Sequence, residues 1–330
     1  MMQKWMVAVL VVAACSSKSR LDDKPAPKDA RTDPNPTKSL DLPTGAGIAH
    51  LENPVVQLPK QDSFVILEAG KGPASLLRYT PAPGTVMFHA ETSLKSRHLS
   101  ARKWSDLSSL PTIREGFAIT VDADASRPLA LRPLPGEVVG KTSKDAEQYL
   151  AGWRAIQSRR FSIALDNRGQ LGAITFNDDP TMARSTEDRD ELLQRLLAAV
   201  VPVPAEPISV GTSWRVVTLL RQRPALVKQS ATYTLVSRTP TSWKIAIKLQ
   251  RIGEEQVITD AGLPKGAAAN LIALVRRFEG TVDIDPKRPF PSGKLSVTST
   301  IHVRIAMPDN AIDEQIFEDA GTVVLSTTDN

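Results

Sequence analysis

Four histidines, His50, His89, His98 and His302, are the residues best suited to metal binding or proton transfer. The nearest two, His89 and His98, stand nine apart, outside the spacing that puts two ligands on one turn or one strand face. His302 alternates with Ser and Thr and is expected to be solvated. Asn177-Asp178-Asp179 could offer oxygens to calcium, but the downstream acids of an EF-hand loop are missing and Pro180 follows, so a turn is expected. Glu254 and Glu255 point to opposite sides of an extended chain, which suits solvated surface better than a catalytic pair. Gly70-Lys71-Gly72-Pro73 lacks the spacing of a phosphate-binding loop and reads as a turn. No G-x-S-x-G elbow occurs. No catalytic, metal-binding or cofactor-binding residue is assigned, and no cofactor is expected. Two basic pairs, Arg159-Arg160 and Arg276-Arg277, adjoin the segments carrying Phe161 and Phe278. They read as surface charge, with contact to anionic lipid as the sharper alternative.

The one residue with an assigned modification is Cys15, the only cysteine of 330 residues. Lys4 precedes an apolar run over residues 5–12, and Ala13-Ala14 supply small residues just before Cys15. A charged start, a short apolar core and a small-residue cut make a secretory signal. The run is too short for a membrane-spanning helix, which needs about 20 residues. Val12-Ala13-Ala14-Cys15 resembles the lipobox of bacterial lipoproteins, with Val where Leu is usual. The resemblance implies cleavage after residue 14 and lipidation of Cys15 as the mature N-terminus. Several acyl chains hold firmly, at about 0.8 kcal/mol per buried methylene. The mature chain would then have no thiol free for a disulfide. Ser16 and Ser17, with no Asp beside the Cys, favour the outer over the inner membrane.

Residues 15–45 read as the lipidated Cys and a tether. Residues 16–45 hold five prolines, interleaved charges and only three large apolar residues, Leu21, Leu40 and Leu42. Such a segment cannot bury enough surface to offset its chain entropy. Extended, it would reach roughly 90 Å at about 3.1 Å per residue. Residues 46–330 form the body, with 34 basic against 31 acidic residues. That mixed surface, on an exported chain, gives no reason to expect a nucleic-acid partner. The overall composition, 41% hydrophobic and 23% charged, excludes collagenous, disulfide-framework and polytopic membrane classes.

Within the body the dominant period is two, the mark of half-buried strands. Leu295, Val297, Ile301, Val303 and Ile305 share one face, against Ser296, Thr298, Thr300, His302 and Arg304. Trp243, Ile245, Ile247 and Leu249 alternate with polar residues, and Ile272, Leu274, Phe278, Val282 and Ile284 share an even face. Phe161 with Ile163 and Leu165, Phe117 with Ile119 and Val121, Val86 with Phe88, Tyr233 with Leu235, and Trp214 with Val216 mark further strands. The 166–169 turn, with Asp, Asn and Gly, predicts a hairpin. A helix is predicted over 185–200 from its acidic first turns and the Leu192, Leu193, Leu196, Leu197, Val200 stripe. A second is predicted over 145–156 around Tyr149, Trp153 and Ile156.

The expected fold is therefore α+β, mostly antiparallel: a large curved antiparallel sheet with one or two packed helices. Phe161, Asp166, Gly169 and Leu171 find an echo in Phe278, Asp283, Gly293 and Leu295, which raises an internal duplication with a boundary near residue 205. The body is similar to β-rich envelope lipoproteins, among which carriers of lipoproteins and lipids are the functional members. Residues 202–214 also resemble a segment of uncharacterised duplicated lipoproteins, without known chemistry. Three functions stay open. The first is a lipid-anchored, non-catalytic binding or scaffold module of the cell envelope, with an envelope protein or polymer as partner. The others are a carrier of an apolar ligand or lipid, and an envelope enzyme with an unrecognised site.

Overall fold

A computed structural model describes residues 64–329, except 125–127, scattered positions between 143 and 159, 177–198, 223–224, 259–265 and 308–310. Cys15, the lipobox, the tether, His50, the 177–179 acids and nearly all of the 185–200 helix lie outside the described residues. The strands are β1 (Phe64–Glu68), β2 (Gly84–Ser100), β3 (Lys103–Trp104), β4 (Ser108–Ser109), β5 (Thr112–Val121), β6 (Leu129–Pro133), β7 (Glu137–Val139) and β8 (Phe161–Leu165). They continue as β9 (Leu171–Phe176), β10 (Ser213–Gln222), β11 (Ala225–Arg238), β12 (Trp243–Gly253), β13 (Gln256–Ile258), β14 (Ala268–Ile284), β15 (Ser292–Ala306) and β16 (Ile312–Asp329).

All belong to one antiparallel sheet with the order β1-β10-β11-β12-β14-β15-β16-β2-β5-β6-β8-β9. The chain thus lays down two meanders that are joined where β16 pairs with β2, from Ile316 opposite Leu99 to Asp329 opposite Val86. The alternation seen in the sequence sets the two faces. In β12, Trp243, Ile245, Ile247 and Leu249 are buried while Lys244 and Lys248 are exposed. In β15, Leu295, Val297, Ile301 and Val303 are buried while Ser296, Thr298 and Thr300 are exposed. Ile305 is half-buried. Ile272 departs from its expected face: a register shift between Leu271 and Ala273 turns Leu271 inward and leaves Ile272 half-buried.

The sheet curls until its two ends meet. The guanidinium of Arg168, in the β8–β9 turn, lies 5.0 Å from the ring of Phe64 in β1. Tyr79 joins the same seam. Its N–H donates to Asn167 O, its hydroxyl donates to Val201 O, and its ring stands edge-on to Trp243 at 5.4 Å. Burial raises the Tyr79 hydroxyl far above the ordinary tyrosine value, with Tyr233 adding to the rise and the bond to Val201 O opposing it. One continuous apolar cluster therefore draws on both meanders, from Phe88, Phe117 and Phe161 to Trp214, Tyr233 and Ile247. A second cluster, with Leu220, Leu274, Ile301 and Phe317, fills the inner face toward the other end of the long strands. Glycine allows a close approach between the paired strands: a Cβ on Gly321 of β16 would meet the Ser93 carbonyl of β2.

The helices expected to pack on the sheet are not borne out as a layer. Helical residues among those described are few: Ala146, Glu147, Leu150, Trp153, Arg154, Gln157 and Ala199. The curl of the sheet buries much of its inner face against itself. Trp153 fills one gap, edge-on to Phe117 at 5.5 Å, with its indole N–H on Leu134 O at 2.6 Å. The 202–214 segment is a strap over the seam. Val203 and Ile208 are buried, Pro202 O accepts from the Trp214 indole at 2.9 Å, and Arg78 donates to Pro204 O and Ala205 O. The two segments that share the Phe-Asp-Gly-Leu spacing both form antiparallel pairs, β8 with β9 and β14 with β15.

Candidate functional site

Pairing partners define rows that cross the sheet at right angles to its strands. One such row runs over seven strands: Thr218 of β10, Gln229 of β11, Arg251 of β12, Arg276 of β14, Ser299 of β15, Asp319 of β16 and Ser96 of β2. Every member is polar, and all face inward. Thr218, Gln229, Arg251, Ser299 and Ser96 are buried, while Arg276 and Asp319 are half-buried. On one side lies the row Val216, Ala231, Leu249, Phe278, Val297, Gly321, Leu94. On the other side, Leu274 pairs with Ile301, Ile301 with Phe317, and Phe317 with His98. A polar band thus crosses a largely apolar inner face.

The band is partly satisfied from within. Arg251 Nε donates to Gln229 Oε1 at 2.8 Å, and its guanidinium lies 5.8 Å from the Phe278 ring. Arg276 Nε reaches Ser299 Oγ at 3.4 Å. The two arginines are direct cross-strand partners. Like charges so placed repel. Burial, then Arg276, pulls Arg251 down to about 9, with Tyr233 opposing; it stays cationic at neutral pH. Burial also lowers Arg276, against the pull of Asp319. The Asp319 carboxyl is raised by burial, with Ser96 and Arg276 opposing. The Ser96 hydroxyl is enclosed, opposite Asp319 in the row.

Replacing buried ionic groups by apolar residues of similar volume is often neutral or stabilising, by about 1–4 kcal/mol. Stability alone gives little reason for two cations on this face. Adjacent guanidiniums suit a different task, since each can grip a carboxylate or phosphate with two parallel N–H donors.

The sequence-derived candidates fare unevenly. The Arg276-Arg277 pair, read as surface charge, splits: Arg276 turns inward into the band and Arg277 is exposed. Arg160 is exposed and lines an open groove of about 500 Å³ on the outer face, with Met87, Ala118, Thr120 and Arg132 among its walls. His302 is half-buried rather than solvated, its Nε2 enclosed and 3.9 Å from Glu314 Oε2. His89 is half-buried, and burial, then Arg114, lowers its affinity for a proton while Glu137 raises it. His98 stacks on Phe317 at 6.3 Å. Glu254 and Glu255 are exposed at a bend, and Lys71 and Gly72 form a bend in which Gly72 takes φ +90°. Among the described residues no group of three or more His, Cys, Asp or Glu could hold a metal ion. None of their helices is long and apolar enough to cross a membrane.

Sequence reasoning missed Gln229, Arg251, Ser299, Asp319 and Ser96. One signal was present: the alternation of β12 runs on past Leu249 to Arg251, and that of β15 holds Ser299 between Val297 and Ile301. No protein-family model matches the chain, and no curated protein sequence is similar to it.

Proposed function

We propose that this chain is a lipid-anchored protein of the bacterial cell envelope that binds an amphiphile on the inner face of its curled sheet. Cys15 carries the anchor, residues 16–45 are the tether, and the outer membrane is the site of attachment. The observation that carries the reading is the polar band between apolar rows. A lipid-like molecule has the same division, and a binding surface matches its ligand's distribution of polar and apolar groups. This is the carrier reading, with a role in binding rather than in catalysis. Full-length protein purified in a mild detergent and analysed by native mass spectrometry tests it. A co-purifying amphiphile at a one-to-one ratio is the expected result. A bare protein mass, together with no binding of a fluorescent fatty acid, would overturn it.

A second reading, a scaffold for another envelope protein or polymer, draws on the edge strand. β1 pairs with β10 on one side only among the described residues, and Val65, Ile66 and Leu67 are 45%, 41% and 42% exposed. An open apolar edge can accept a strand from a partner. Cross-linking from position 66 in intact cells would capture such a partner. The paired Phe-Asp-Gly-Leu spacing supports an origin by duplication, which suits either reading.

A further inference from the structure

We propose that the outer-face groove lined by Arg132 and Arg160 is a binding site for a phosphate monoester, held between the two guanidiniums. The site lies on the face opposite the polar band and stands apart from the carrier reading. Register brings the arginines together. Leu131 of β6 pairs with Phe161 of β8, and the next step of that register, on the exposed side of both strands, sets Arg132 beside Arg160. Both line one groove of about 500 Å³, a volume within the range of small-ligand sites. The groove owes its depth to a small floor: Ala118 and Ala130 lie among Met87, Thr120 and the two arginines.

Elsewhere on the outer face, cations meet acids across the strands: Arg114 meets Glu91 and Glu137, Lys244 meets Asp283, and Lys248 meets Glu279. Among the described residues, neither Arg132 nor Arg160 forms an ion pair or a side-chain hydrogen bond. The row through Arg132 continues as Ala118, Met87 and Thr328, and the next outer row is Thr85, Thr120, Ala130 and Ser162. Neither row holds an acid. Like charges in cross-strand positions repel, and an anion between them relieves the repulsion. Charge also selects the anion. A phosphate monoester carries about −1.5 to −2 near neutral pH, which matches two guanidiniums better than the single charge of a carboxylate or phosphodiester does. Its terminal oxygens can meet both planar forks at once. The Thr85 and Thr120 hydroxyls, 3.0 Å apart, can serve the alcohol part of the ester. Two sources share this chemistry: a soluble phosphorylated sugar or polyol, and the head group of a phosphomonoester lipid.

Calorimetric titration of the full-length protein in a neutral detergent tests this with three probes: glycerol 3-phosphate, dihexanoyl phosphatidic acid and dihexanoyl phosphatidylglycerol. The first two are monoesters, without and with acyl tails; the third is a diester with the same tails. At least one monoester should bind about tenfold or more tightly than the diester, the worth of one charge-assisted hydrogen bond. Glycerol 3-phosphate binding as tightly as the phosphatidic acid names a soluble ester; a gain of about tenfold from the tails names a lipid head group. Arg132→Gln and Arg160→Gln should each weaken monoester binding about tenfold and leave thermal unfolding unchanged, because both side chains are exposed. Lys244→Gln, which removes an outer-face cation already paired with Asp283, should leave binding within about twofold. Equal wild-type binding of diester and monoesters would overturn the proposal. So would monoester binding that survives in both arginine variants, or binding of none of the probes. Each of those results leaves the inner-face reading to its own test.

Discussion

Phe64 and Arg168 belong to opposite ends of the strand order, yet the Arg168 guanidinium sits 5.0 Å from the Phe64 ring. This contact helps to close the curl. Arg168 is 5% exposed, and its Nε and Nη1 make no hydrogen bond. The aromatic face is thus a main source of compensation for that buried charge, worth about 2 kcal/mol when desolvated. Phe64→Ala should lower stability by about 2–3 kcal/mol, since it removes both packing and the cation's partner. Arg168→Met should cost under about 1 kcal/mol, because it removes a costly cation and keeps its bulk. Urea titrations of both variants give the comparison. A loss in Arg168→Met as large as in Phe64→Ala would assign Arg168 a role that the seam does not explain.

The strands that build the inner face were legible to different depths. Trp243 to Leu249 and Leu295 to Val303 announce themselves by alternation, broken only at Ser299, and both segments bury the expected apolar side chains. The band was not legible, because each member looks ordinary in its own strand. Arg251 reads as the polar end of β12, and Ser299 as one more hydroxyl in a Ser/Thr-rich run. Only the pairing of seven strands puts them in line, and register is a property of partners distant in sequence. Ile272 shows a second limit: one irregularity after Leu271 reverses which residue faces inward. The contact of Phe64 with Arg168 depends on how far the whole sheet curls, which no local window encodes.

Ile301 is 1% exposed and lies in the row next to the band, opposite Leu274 and Phe317. Ile301→Asp should destabilise the body by several kcal/mol, because a carboxylate would be buried between the apolar side chains of Leu274 and Phe317. Thermal unfolding measures it. Thr300→Asp, on the exposed face of the same strand, should stay within about 0.5 kcal/mol of wild type. Equal effects from the two substitutions would mean that the faces are assigned the wrong way round.

Gly321 of β16 pairs with Leu94 of β2, and any side chain there meets the Ser93 carbonyl. Because the obstacle is backbone, a rotamer change cannot relieve it. Gly321→Val should cost about 3 kcal/mol from overpacking and from unbending the sheet. Gly72→Val is the control for side-chain size, since nothing lies within 4 Å of a Cβ there; its φ of +90° strains the backbone instead. A Gly321→Val melting temperature equal to wild type would show that the β16–β2 pair has room that its geometry denies.

Cys15→Ser removes the only thiol and, on the proposed lipoprotein reading, the acceptor for lipidation. The variant should accumulate uncleaved or appear in soluble form, and a clickable fatty acid should label the wild type alone. Equal labelling of both proteins would remove the lipoprotein assignment and the envelope anchorage built on it.

Asp319 makes stability depend on pH in an unusual direction. Its carboxyl is raised by burial, with Ser96 and Arg276 opposing only in part. The folded protein therefore holds this proton to higher pH than the unfolded chain does. Stability from this group is fully present below the ordinary aspartate value and is lost as pH rises through the raised folded value. Asp319→Asn imitates the protonated form at every pH. It should unfold at higher urea than wild type near pH 7, and the gap should close as pH falls below the ordinary carboxylate range. The sign is diagnostic. If Arg276 held Asp319 as a strong ion pair, its carboxyl would be depressed, and Asp319→Asn would be the less stable protein at pH 7. Urea midpoints measured from pH 3 to pH 7.5 separate the two. A wild type more stable than Asp319→Asn throughout would replace the burial-dominated account with a paired one.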